Sequence, residues 1–129
     1  MPGEIWEELE ALWDFVTGVN AQEPLSIKPP INVFESDEYY LVQVALAGVS
    51  RDDIEVKFED EALVVKGKRK DPLVDLKGKY HSLEIFFGPF ERRIPISGKI
   101  IEDKTKWSFK NGLLEVKIPR VKKSRKPEE

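Results

Sequence analysis

Between residues 31 and 119, apolar side chains return at alternate positions in short runs, each bounded by turn-forming residues. A period of two places alternate side chains on opposite faces of an extended chain, so each run reads as a half-buried β-strand. Ile31–Glu35 is the first and is short. Tyr39–Ala45 follows, with Tyr40, Val42, Val44 and Leu46 on one face. After a turn at Asp52-Asp53, Ile54, Val56 and Phe58 alternate; after a second at residues 59–61, Leu63 and Val65 share a face of residues 62–68. Residues 89–96 put Phe90, Arg92, Ile94 and Ile96 together. The final pair is the clearest. Trp107 and Phe109 share one face before Asn111-Gly112, and Leu114, Val116 and Ile118 share one after it. Asn-Gly is the favoured pair for a type I′ turn, which needs positive φ at both positions and joins strands of matching twist. Short strands at such spacing predict an all-β fold, an immunoglobulin-like antiparallel β-sandwich.

Two stretches break the rhythm. Ile5, Trp6, Leu9, Leu12, Trp13 and Val16 recur at helical spacing opposite Glu7, Glu8 and Glu10, which predicts a short amphipathic helix ending near Gly18-Val-Asn20. A helix this short needs a surface to pack on. Its apolar face either docks on the β-domain or a sister subunit, or offers a sticky surface to non-native chains. Residues 21–30, with Pro24, Pro29 and Pro30, form a linker. The second break lies between Arg69 and Phe90, too long for a hairpin turn. It holds its own strand-like segment at residues 80–87, which must find a sheet edge elsewhere. The expected division is an arm and linker at residues 1–28, a β-sandwich at 29–120 and a charged tail at 121–129.

Composition narrows the classes. Lys, Arg, Asp and Glu make up 35% of 129 residues, above the average of about 25%. Asn and Gln are scarce, Cys is absent and Met occurs once, which suggests a thermophilic source and rules out thiol chemistry. No apolar run is long enough to span a membrane, and no basic residue precedes Lys28, so no secretory signal is expected and the cytoplasm is. Residues 1–27 hold acids without bases, while the chain from Lys117 is rich in bases, including Arg120 and Lys122. The net charge of −3 and the lack of an RNA-binding motif argue against nucleic acid, leaving a solvated tail or one attracted to the acidic arm.

No catalytic constellation is visible, and no metal or other cofactor is expected. His81 is the only histidine, and its neighbour Ser82 would face the other way in a strand. Asp52-Asp53 and the acids of residues 59–61 sit at turns, where acids are common. No phosphate loop of the Gly-x-x-x-x-Gly-Lys-Ser/Thr type is present.

Four segments, in order, carry a family resemblance. They are Pro29-Pro-Ile-Asn-Val-Phe-Glu-Ser-Asp-Glu-Tyr-Tyr-Leu-Val42, Leu46-Ala-Gly-Val-Ser-Arg-Asp-Asp-Ile54, Lys79-Tyr-His-Ser-Leu-Glu-Ile-Phe-Phe-Gly-Pro-Phe-Glu-Arg92 and the turn Asn111, Gly112, Leu113, Leu114. Together they resemble the alpha-crystallin-type small heat-shock proteins, whose hallmark reads Ala-x-x-x-Asn-Gly-Val-Leu. Trp107 stands at the usual Ala, and Pro95 and Ser97 replace an Arg and a Pro.

The resemblance implies an ATP-independent holdase that binds partly unfolded proteins. It implies a homodimer by strand exchange, with Tyr80, His81, Leu83, Ile85 and Phe86 of one subunit beside Ile31 and Val33 of the other, supported by Arg92. It also implies clients on the helix face and a docking groove lined by Ile54, Val56, Phe58, Trp107 and Phe109, one face of each strand being core and the other groove. The Ile-x-Ile or Ile-x-Val tail anchor that links dimers in relatives is missing after Pro119; Ile94-Pro-Ile96 and Val116-Lys-Ile118 have the pattern inside strands. The alternatives are a CS-type co-chaperone and a structural module with one specific partner.

Overall fold

Alternating apolar residues need a second layer to bury them, and the chain supplies it by folding its strands into two facing sheets. The computed structural model describes residues 8–9 and 27–121. Seven strands follow in order: β1 Ile31–Glu35, β2 Tyr39–Ala45, β3 Ile54–Glu59, β4 Ala62–Arg69, β5 Gly88–Pro95, β6 Lys106–Lys110 and β7 Leu113–Pro119. Single turns of 3₁₀ helix at Arg51–Asp53 and Glu102–Lys104 lead into β3 and β6. Of the expected N-terminal helix only Glu8 and Leu9 are described; they are helical, and Ile5, Trp6, Leu12, Trp13 and Val16 lie outside the described residues.

One sheet has the order β1-β2-β7-β6 and the other β3-β4-β5, all antiparallel. The register puts Tyr40 opposite Ile118, Val42 opposite Val116 and Val44 opposite Leu114. Their inner faces meet Ile54, Leu63, Val65, Phe90 and Ile94 of the other sheet in one buried cluster. The predicted inward faces are therefore the observed ones. Every strand expected between residues 31 and 68 appears, and so do those at 89–96 and in the Trp107 hairpin.

Both tight hairpins use positive φ at two consecutive loop residues. Asn111 and Gly112 have φ of 54° and 77°, as the Asn-Gly pair predicts. Between β3 and β4, Asp60 and Glu61 have φ of 48° and 62°, a type I′ geometry built without glycine. The carbonyl of Glu61 accepts from the Ile96 amide at 3.2 Å, which helps hold that turn in place.

Within this subunit residues 80–87 form no strand and pair with none of the outer strands β1, β3, β5 and β6; residues 80–86 run exposed between β4 and β5. The strand expected there is one that bonds the edge of a partner subunit. One expectation needs correction. Lys117 and Arg120, assigned with the solvated basic tail, belong to the sandwich. Lys117 lies 4.4 Å from the centre of the Tyr39 ring. Arg120 bonds the Ser36 carbonyl, pairs with Glu35 at 3.2 Å and covers the Tyr40 ring. Cross-strand neighbours, which local sequence does not reveal, hold both cations.

Candidate self-association and apolar binding surfaces

Among the described residues, three apolar surfaces are not fully covered. The first is β1, the outer strand of its sheet, bonded on one side to β2. Ile31 is partly buried against the core. Val33, on the inward face opposite Val42, is 47% exposed, and Phe34, on the outward face opposite Leu41, is 56% exposed. An open edge carrying apolar side chains is a template for another strand.

The second surface is the segment between β4 and β5. Its first half is organised by Asp71, whose carboxylate accepts from the Leu73 amide at 2.9 Å and from the Tyr80 hydroxyl at 3.0 Å. The bond to Asp71 favours the neutral phenol and pushes the Tyr80 pKa above its ordinary value. The second half presents Leu83, Ile85 and Phe86, each more than 60% exposed, with His81 exposed beside them. No backbone–backbone hydrogen bond ties residues 81–86 to the other described residues. One side-chain bond does: Arg69 Nη1 donates to the Phe86 carbonyl at 3.1 Å.

Arg92 stands with Phe90 and Ile94 on the inner face of β5, as alternation requires. Its Nη1 donates to the Pro29 carbonyl at 3.0 Å, so an inward-pointing cation on an outer strand clips the approach to β1. Beside it, the Ile27 amide donates to the Pro89 carbonyl at 2.8 Å.

The third surface is the predicted groove. β3 and β6 are the outer strands of their sheets, and the Arg51 guanidinium sits 4.8 Å over the Trp107 ring between them. Ile54 is buried, while Val56, Phe58, Trp107 and Phe109 are half-buried and packed on the core. The expected division into a core face and a groove face is not what is observed. All five lie on the inward faces; the outward faces carry Glu55, Lys57, Lys106 and Ser108. At the rim of a sandwich an inward side chain lacks a neighbour on one side, so Val56, Phe58, Trp107 and Phe109 are both packed on the core and partly accessible, while Ile54 is core alone. Glu59 beside Lys57 raises that ammonium's pKa.

The Asn111-Gly112 turn supports this framework from below. The Leu46 amide donates to the Gly112 carbonyl at 2.7 Å. A β-carbon on Gly112 would lie 3.0 Å from Ala47 Cα, so glycine is needed for contact as well as for φ. Leu114 is fully buried and Leu113 faces outward. Ile94, Ile96, Val116 and Ile118 are all buried, which removes both in-strand anchor patterns from any docking role. Among the described residues no three His, Cys, Asp or Glu side chains gather as metal ligands.

The sequence reading missed Arg69, whose two bonding partners are carbonyls and leave no trace in composition. It also missed Gly67, although an isolated glycine inside a strand pattern is a known sign of close backbone approach.

A sequence profile of the Hsp20/alpha crystallin family matches residues 32–129, well over half of the chain. The chain belongs to that family. Heat shock protein 16 of Schizosaccharomyces pombe is 36% identical over 118 residues, covering 86% of this chain and 81% of the relative. The solved structure of heat shock protein 16.0 from the same yeast superposes with a TM-score of 0.71 at 33% identity, over 82% of this chain and 96% of that one. Small heat shock protein C4 of Rickettsia felis is 29% identical over 99 residues, which span 77% of this chain and 61% of that relative. The chain thus matches about three fifths of that protein's length. Each of these relatives is named as a heat shock protein. The two-sheet, all-antiparallel architecture is the family's own.

Proposed function

We propose that the protein is an ATP-independent holdase that binds partly unfolded proteins and suppresses their aggregation. The observation that carries this reading is the pairing of an open, apolar β1 edge with an exposed segment at Leu83, Ile85 and Phe86 that has no ladder partner of its own. Each provides what the other lacks. In a homodimer formed by strand exchange, Tyr80, His81, Leu83, Ile85 and Phe86 of one subunit lie along Ile31 and Val33 of its partner, and Arg92 steadies the entry to that edge. Burial of each such side chain contributes about 1.5–3 kcal/mol, and every shielded edge is one fewer site for fibrous self-association.

Clients are held on the apolar face of residues 5–16 (Ile5, Trp6, Leu9, Leu12, Trp13, Val16) and on the rim formed by Val56, Phe58, Trp107 and Phe109. A surface rich in charge keeps such complexes dispersed, while apolar contact competes with client self-association. The reading places the protein in the cytoplasm of a heat-adapted organism, working as a dimer or a larger homo-oligomer, with residues 1–28, 29–120 and 121–129 as arm, sandwich and tail.

The test is light scattering from a thermally unfolding client, without nucleotide, alongside native mass across a range of protein concentration. Suppressed scattering and a dimer or multiple of it support the reading. Leu83→Asp should weaken association on the order of a hundredfold. A wild-type monomer, or unchanged scattering, would sink it.

A further inference from the structure

Arg69 is the last residue of β4, paired with Gly88 at the foot of the exposed segment. Its side chain reaches two carbonyls that belong to different parts of the chain. Nε donates to Ala47 at 2.8 Å and Nη1 donates to Phe86 at 3.1 Å. The guanidinium has a planar fork of donors, which a lysine cannot reproduce, so one side chain fixes the distance between the two acceptors. Ala47 is itself held. It rests against Gly112, where even a β-carbon would crowd it, and the neighbouring Leu46 amide bonds the Gly112 carbonyl.

The sequence Gly112, Ala47, Arg69, Phe86 is therefore a continuous support running from the Asn-Gly turn to the apolar segment. At its far end, the Phe86 carbonyl is the one point where residues 81–86 are bonded to the rest of the described chain. Arg69 is half-buried, and both of its bonds lie at the surface, outside the core cluster. A segment that pairs across a subunit boundary must be offered at a fixed height and direction. Otherwise each association event includes the entropy of ordering it.

We infer that Arg69 is a positioning residue for self-association: clamped on the Ala47 carbonyl, it holds the Phe86 carbonyl and presents Leu83 and Ile85 to a second copy of this chain. This rests on the proposal that residues 80–86 form the contact between subunits. Arg69 would touch the interface through the Phe86 backbone, and its removal would cost affinity by loosening a strand that remains present and apolar.

The experiment compares the full-length chain with Arg69→Gln, Arg69→Lys and Leu83→Asp by sedimentation velocity over a wide concentration range, with far-ultraviolet circular dichroism on each. The expected result is a dimer dissociation constant raised about tenfold in Arg69→Gln, a smaller rise in Arg69→Lys, and an unchanged sandwich spectrum. Full-strength association in Arg69→Gln, with Leu83→Asp dissociated, would overturn the role of Arg69 and leave the contact itself standing. Loss of the spectrum in Arg69→Gln would also overturn it, by making the residue part of the fold. A wild-type monomer, or a Leu83→Asp chain that associates normally, would remove the contact on which the inference rests.

Discussion

Gly67 passes so close to Asp53 that a β-carbon on it would sit 1.9 Å from the Asp53 carbonyl oxygen. It would also lie 2.9 Å from Cζ of Phe90, the residue opposite Gly67 on β5. The turn into β3 thus meets β4 near the latter's end, beside the Ile54–Gly67 pair, at a point where only hydrogen fits.

Gly67→Ala is the first prediction. The obstacle is backbone, which cannot swing aside as a side chain can, so β3 or β4 must shift. The expected loss is about 3 kcal/mol or more, at the upper end for overpacking a core. Urea unfolding checks it; a midpoint within error of wild type would show that the strands part without cost.

The turn at Asp60 and Glu61 predicts the opposite sign. Both residues hold left-handed φ, tolerable for Asp and unfavourable for Glu. The bond from the Ile96 amide uses the Glu61 backbone, so it survives a change of side chain. Glu61→Gly should therefore stabilise by about 0.5–1 kcal/mol after allowing for the freer unfolded chain. A chemical-denaturation midpoint that stays put or falls would show that the turn is not strained.

Tyr40 ties together elements that are far apart in sequence. Its ring is buried, and its hydroxyl lies 2.7 Å from the Ser97 carbonyl and 2.9 Å from Glu35 Oε1. Tyr40→Phe keeps the ring and strands the Ser97 carbonyl. The expected cost is about 1–2 kcal/mol with no change in the slope of the denaturation curve. A smaller loss would mean that water replaces the hydroxyl.

The titrations act at high pH. Tyr80 is raised above 10.0 by the bond to Asp71, and Lys57 above 10.5 by Glu59. A raised folded-state pKa contributes stability that is fully present below the unfolded value and is lost as pH rises through the folded one. Both contributions are thus intact at neutral pH and fade only in the alkaline range above 10.0. The difference between the ultraviolet titration curves of wild type and Tyr80→Phe should have its midpoint above 10.0; a midpoint at or below that value would deny the Asp71 bond in solution.

The parts legible in the sequence were those set by near neighbours. The β6–β7 hairpin follows from Asn111-Gly112 and two alternating runs. The inward faces of β2 and β4 follow from period-two burial. Which strands pair across the molecule was not legible: β2 bonds β7 with Gln43 opposite Glu115, and nothing local links those residues. The five residues expected to line the groove share the inward faces, and their division between faces was misjudged, because half-burial at a rim is a property of where the sheets end. Lys117 and Arg120 looked like tail charges, since a cation held by a distant ring or carboxylate reads the same as a solvated one.

By itself, the sequence determined the strands, the inward-facing residues and the tight Asn-Gly turn, because alternation and turn chemistry act over a few residues; the family followed from the resemblance of four segments. Tertiary structure decided the close passage of Gly67 by Asp53, the clamp of Arg69 on Ala47 and Phe86, and the exposed state of Leu83, Ile85 and Phe86. These depend on which surfaces meet once the two sheets are stacked. A strand-like segment becomes a strand only when an edge is free to bond it, and within this subunit residues 80–87 are bonded to none.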